Sequence, residues 1–192
     1  MGKVIFVAII IIFDIIFLMS GFIKENFNNT QNPTTVVNEI SNDLTNEQID
    51  TSKFQEAYVK RVVDGDTIIA TINNEDYRVR LIGINTPEST TEIEPYGKEA
   101  SNYTSSILTG KTIYLEKDVR NTDKYNRLLR YVWLEIPNEI SEDEIRNKLF
   151  NADLLIKGYA ELFTYPPDVK YVNYFKTFEN EARNNCQGLW EI

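Results

Sequence analysis

Asp66, Arg80, Asn85, Thr86, Glu88 and Arg127 are the residues of this chain whose types and spacing point to chemistry. Arg80 stands in the run Tyr77–Ile84, where apolar and charged residues alternate with the period of a strand. A guanidinium among apolar neighbours wants an anion, and its planar fork suits a carboxylate or a phosphate. The run stops at Pro87, which has no N–H to give a sheet and holds Thr86 extended. At that stop stand an amide, a hydroxyl and a carboxylate, from Asn85, Thr86 and Glu88. Hard cations take oxygen ligands of this kind. Upstream, Asp64-Gly65-Asp66-Thr67 reads as a tight turn opening a strand; downstream, Thr122-Asp123-Lys124-Tyr125-Asn126-Arg127 is a second polar turn ending in arginine. Carboxylates, an amide and two arginines so spaced are the makings of a metal-plus-phosphate site.

Each motif alone has a plainer reading. Asp64-Gly65-Asp66 is a turn, Arg80 a structural ion pair, Glu88 a loop carboxylate, and Lys124 with Tyr125 a solvated turn. Phe163, Tyr165, Tyr171 and Tyr174 read mainly as core or rim packing.

The elements that must position these residues follow from periodicity. Strands are expected at about Glu56–Val63, Thr67–Ile72, Tyr77–Ile84, Lys111–Lys117 and Leu128–Leu134. The second and third should pair antiparallel across Asn73-Asn74. Tyr96–Leu108 reads as a helix stopped by Gly110. Ser141 and Glu144 form a capping-box signature for a second helix running to about Lys157 and stopped by Gly158. Asp168 is expected to cap a last helix that carries Val172, Phe175, Phe178 and Ala182. Five strands and about three helices in this order describe an α+β, mainly β, small barrel with packed helices.

Composition excludes several chemistries. The chain has no histidine, which removes histidine-ligated zinc and Ser/His or Cys/His nucleophile pairs. Its one cysteine, Cys186, excludes an internal disulfide. The net charge of −9 has the wrong sign for a general nucleic-acid coat, so any phosphate binding must come from a local cluster.

Val4–Phe22 is almost wholly apolar and close to the ~20 residues that span a bilayer. Asp14 at its centre costs about 2.5–3.5 kcal/mol on the insertion scale, which the many Ile and Phe residues offset. Residues 1–23 are therefore expected to be a transmembrane anchor or, alternatively, a secretory signal peptide. The domain would lie outside the cytoplasm, membrane-held or secreted. Residues 24–53, rich in Asn, Thr, Gln and Glu, read as a flexible polar linker, and 54–192 as the folded domain.

Five blocks in order resemble the staphylococcal nuclease (thermonuclease) family: D-G-D-T at 64–67, R-L-I-G-I-N-T-P-E at 80–88, Y-G-K-E-A at 96–100, T-D-K-Y-N-R-L-L-R-Y at 122–131 and G-Y-A-E-L at 158–162. The resemblance implies a five-stranded OB-fold barrel and a calcium-dependent nuclease acting on DNA and RNA, single-stranded or frayed, with little sequence preference. It implies calcium ligation by Asp66 and by the Thr86 carbonyl, with Asn85 where the family usually has a second aspartate. Arg80 and Arg127 match its two phosphate-gripping arginines, and Glu88 its general base or water-positioning glutamate. Lys124 and Tyr125 match residues lining the nucleotide pocket, and Tyr165 a base-packing tyrosine. A monomer is expected, with no protein partner. Two alternatives stay open: a catalytically silent OB-type module binding nucleic acid or protein, and a membrane-anchored scaffold with no nucleic-acid role. Asn85 removes one negative charge from the expected metal site, and ligand charge tunes calcium affinity.

Overall fold

The computed structural model of the chain describes residues 49–91 and 93–191. The expected anchor or signal, and the expected linker up to residue 48, lie outside the described residues. Within the expected linker, Thr51–Lys53 forms one 3₁₀ turn capped by the Asp50 side chain. Among the described residues no helix is long and apolar enough to cross a membrane.

Five strands close a barrel: β1 (Phe54–Asp64), β2 (Thr67–Ile72), β3 (Glu75–Leu81), β5 (Thr112–Glu116) and β6 (Leu128–Trp133), in the spatial order β1-β2-β3-β6-β5. A long strand can pair on both sides only if it bends. β1 does so through register shifts at Val59/Arg61 and Val62/Asp64, its first half pairing with β5 and its second with β2. The β2–β3 hairpin turns at Asn73 and Asn74, both at positive φ, as a two-residue hairpin that follows strand twist requires. The closing pair, β3 with β6, is parallel, and sets Arg80 opposite Leu129. Val59, Ile68, Val79, Leu81, Ile113, Leu115 and Val132 are buried, so the closed sheet encloses an apolar core.

Among the described residues four α-helices accompany the barrel: α1 (Gly97–Leu108), α2 (Glu142–Lys148), α3 (Phe150–Ile156) and α4 (Val172–Asn184). A two-stranded ribbon of β4 (Ile84–Asn85) and β7 (Glu161–Leu162) lies outside it. Every residue of β6 is buried, because α3 covers the face turned away from the core. Asn151 stitches the two together: its Oδ1 accepts from the Val132 amide and its Nδ2 donates to the Ile82 carbonyl, each at 2.9 Å.

Three expectations need correcting. The strand expected to run to Ile84 stops at Leu81, because Gly83 takes a φ of +80° and turns the chain into β4. The single helix expected from Ser141 to Lys157 is two. Leu149 leaves helical geometry to bridge Trp133, while the Leu134 amide takes the Lys148 carbonyl, so pairing with the end of β6 overrides helical propensity. Asp168 caps no helix: α4 begins at Val172, and the Asp168 carboxylate turns instead to the amides of Val119 and Arg120.

Candidate active site

Barrel closure builds the site. Parallel pairing of β3 with β6 brings Arg80 beside the start of β6, immediately after Arg127. The loop before β6 is then tied down from both ends. Arg130 donates to the Asn121 carbonyl and side chain, at 3.1 and 2.8 Å, and Asp123 folds the 123–127 turn on itself. The Asp123 carboxylate accepts from the amides of Tyr125 and Arg127 and from Arg127 Nε, the last at 2.6 Å. Burial pushes the Asp123 carboxyl up, but the hydrogen bonds from the Arg127 amide and guanidinium and the Tyr125 amide, with the Arg127 charge, together outweigh it and the net displacement is downward. Asp123 therefore stays ionised and holds Arg127 in place.

The other wall comes from β7. Phe163 donates its amide to the Gly83 carbonyl at 3.0 Å, which brings 163–165 alongside the turn after β3. The result is a cavity of about 390 Å³ lined by Arg80, Arg120, Lys124, Tyr125, Arg127 and Tyr165 among others. Tyr125 and Tyr165 are 67 % and 59 % exposed, so both rings offer a face to a ligand. Lys124 Nζ and the Arg127 guanidinium lie 4.9 and 5.4 Å from the Tyr125 ring centroid. Of the four aromatics read as packing, Phe163 is also exposed on this cavity, whereas Tyr171 is buried and Tyr174 packs on the core.

Arg80 links this cavity to the oxygen cluster. Its Nη2 lies 2.9 Å from Asp66 Oδ2 and donates to Asn85 Oδ1 at 3.1 Å, while its Nη1 donates to the carbonyls of Leu81 and Ile84. Burial pulls the Arg80 guanidinium down and Asp66 opposes it; an arginine remains cationic regardless. Asp66 is buried, and also accepts from the Thr67 hydroxyl at 3.0 Å and the Thr86 amide at 3.1 Å. Gly65 permits this approach, since a Cβ there would lie 2.7 Å from Thr86 Oγ1. Thr86 is buried and its Oγ1 has no hydrogen-bond partner among the described residues.

These residues fit a hard divalent cation. Asp66, Asn85 and Thr86 come together as one carboxylate and neutral oxygens, with an orphaned buried hydroxyl beside them. Among the described residues no three His, Cys, Asp or Glu side chains gather into a metal-binding group. The set is therefore oxygen-only and low in charge.

Glu88 stands apart from the cavity. Its carboxylate accepts from the Thr90 hydroxyl and amide, which hold it below the ordinary glutamate range. Among the described residues no hydrogen bond or ion pair joins it to Arg80 or Arg127. Its charge is nonetheless felt nearby: burial raises the Asp64 carboxyl, hydrogen bonds from Ser89 and Gly65 oppose this, and Asp66 and Glu88 add to the rise. Asp123, Arg120 and Asp168 are site-wall residues that periodicity alone missed. Only for Asp123 was there a local signal, an acid four residues before Arg127 within one turn.

Comparison with known proteins matches residues 78–192 to the family model described as staphylococcal nuclease homologue. The matched span holds every candidate residue except Asp66, which precedes it. A thermonuclease of Staphylococcus intermedius is 42 % identical over 136 residues, covering 69 % of this chain and 74 % of the relative. A thermonuclease of Staphylococcus hyicus is 36 % identical over 69 % of this chain and 73 % of the relative. A micrococcal nuclease of Shigella flexneri is 31 % identical over 69 % and 71 % respectively. The closed five-stranded barrel is in keeping with the OB-fold of that family. By the span of that match and by these identities, the chain belongs to the staphylococcal nuclease family of nuclease hydrolases.

Proposed function

We propose that this nuclease hydrolyses phosphodiester bonds of DNA and RNA, single-stranded or frayed, with calcium held by Asp66, Asn85 and the Thr86 carbonyl. The observation that carries the reading is the meeting of Arg80 and Arg127 on one cavity, with Arg80 also reaching the Asp66–Asn85 oxygens. A phosphodiester resists nucleophiles because its own charge repels them. Two guanidiniums neutralise that charge and favour the more highly charged transition state. Calcium, when bound, adds Lewis-acid charge stabilisation at the same phosphate. Glu88, kept ionised by Thr90, orients or deprotonates the attacking water. Tyr125 and Tyr165 present ring faces on which any base can stack, so phosphate and base face are read rather than base edges. The apolar stretch 4–22 supports placing the domain outside the cytoplasm, held at a membrane or released.

The test is cleavage of a single-stranded oligonucleotide by the full chain with calcium, with magnesium and with chelator, Glu88→Ala alongside. Calcium-dependent cleavage, reduced about 10²–10⁴-fold in Glu88→Ala, is expected. No cleavage at any calcium concentration by a folded chain that still binds the strand would instead mark a catalytically silent binding module.

A further inference from the structure

We propose that Arg120 is a third phosphate-binding arginine, which grips the phosphate adjoining the scissile one when the bound strand is longer than a dinucleotide. This rests on the nuclease reading above.

Arg120 lines the same cavity as Arg80 and Arg127, and its side chain is 34 % exposed there. It is also held unusually firmly for an arginine at a rim. Its Nε donates to Asp168 Oδ2 at 2.6 Å and its Nη2 to the Tyr165 carbonyl at 3.3 Å, and its guanidinium lies 4.5 Å from the Tyr165 ring centroid. Asp168, 2 % exposed, is itself anchored, because its other oxygen accepts from the amides of Val119 and Arg120. Buried carboxylate, guanidinium and exposed tyrosine thus form one hydrogen-bonded and stacked unit.

The plainer reading is that Arg120 only neutralises Asp168. That role uses the Nε edge of the fork. Nη1 has no hydrogen-bond partner among the described residues, and the side chain faces the cavity rather than the protein interior. A guanidinium fixed on one edge and open on the other is preorganised for an anion, since its rotamer entropy is already lost. The anion the cavity is built for is a phosphate, and a nucleic-acid strand brings a second one covalently linked to the first. In the nuclease reading Arg80 and Arg127 share one phosphate between them, and Arg120 lines the same cavity against the Tyr165 ring. In a chain of net charge −9, such local cations must supply the phosphate affinity.

The test uses the full chain carrying Glu88→Gln, so that the strand survives, with a fluorescent single-stranded oligonucleotide in chelator at a series of salt concentrations. Arg120→Gln is expected to weaken binding several-fold and to lower the slope of log affinity against log salt by about 0.7, one contact for a single strand. Arg120→Lys, which keeps the charge, should restore most of that slope. With Glu88 intact, Arg120→Gln should raise KM for an oligonucleotide at least fivefold more than for a dinucleoside monophosphate, which has no second phosphate. Should Arg120→Gln fold poorly through the unpaired Asp168, the pair Arg120→Gln with Asp168→Asn removes that charge and gives the same readouts. An unchanged slope, or equal impairment on both substrates, overturns the inference and leaves the nuclease reading standing. A Glu88→Gln parent that shows no salt-dependent binding at all overturns both.

Discussion

In the proposed mechanism, Thr90 sets the working range of Glu88. Its hydroxyl, then its amide, hold the Glu88 carboxyl below the ordinary value of about 4.3. A depressed value means the base form persists as pH falls, and is lost only below the usual glutamate range. Thr90→Val removes the hydroxyl, so the acid limb of the kcat/KM profile should move to higher pH. A profile that stays in place would show that Glu88 is not the titrating base. In the proposed calcium site, Asn85 governs the ligand charge. Arg80 bridges its Oδ1 to the Asp66 carboxylate, leaving one formal negative charge among the three expected ligands. Asn85→Asp restores a second and should tighten calcium several-fold by calorimetry. Equal or weaker affinity would mean that the added charge is taken up by Arg80 instead.

The elements position these side chains through close backbone approaches. α1 begins against the Glu88 loop at Gly97, where a Cβ would lie 2.2 Å from the Glu88 carbonyl oxygen. No side chain fits there without parting helix and loop. Gly97→Ala should therefore destabilise the fold by about 1–3 kcal/mol and lower kcat by up to about 10²-fold, since ångström misplacement of a catalytic group has that effect. Thermal melts with single-turnover rates check both; near-normal turnover would show that Glu88 needs no such support. β6 plays the matching part for Arg127. Its parallel pairing with β3 and the Arg130 hydrogen bonds to Asn121 carry the 121–127 loop to the cavity.

At the scale of the whole molecule, an enzyme of net charge −9 must attract a polyanion to one cationic cavity. Glu135 and Glu139, on the segment leading into α2, and Asp143, in its first turn, are exposed acids outside the cavity lining. Replacing them with Gln, Gln and Asn should raise kcat/KM for single-stranded DNA severalfold at low salt, with kcat unchanged. The gain should fade toward 0.15 M salt, where the screening length falls to about 8 Å. Stopped-flow association rates at two ionic strengths decide it; a gain that survives high salt would point to a direct contact.

The sequence by itself determined the barrel strands, the Asn73-Asn74 hairpin, the α1 helix and the family, because alternation, turn residues and ordered motifs are local signals. It also indicated, from the acidic balance, that any phosphate binding must come from a local cluster, and, from the missing histidine, that histidine-dependent chemistry is excluded. What it could not show was set by pairing at a distance. Leu149 breaks a locally good helix because the end of β6 offers it a backbone partner. Asp168 abandons the capping position its spacing suggested because the amides of Val119 and Arg120, and the Arg120 guanidinium, compete for its carboxylate. Only barrel closure decided that Arg80 would meet Arg127, and that Arg120, unremarkable in the chain, would join them. Those encounters depend on sheet register and loop return, which no local stretch of residues encodes.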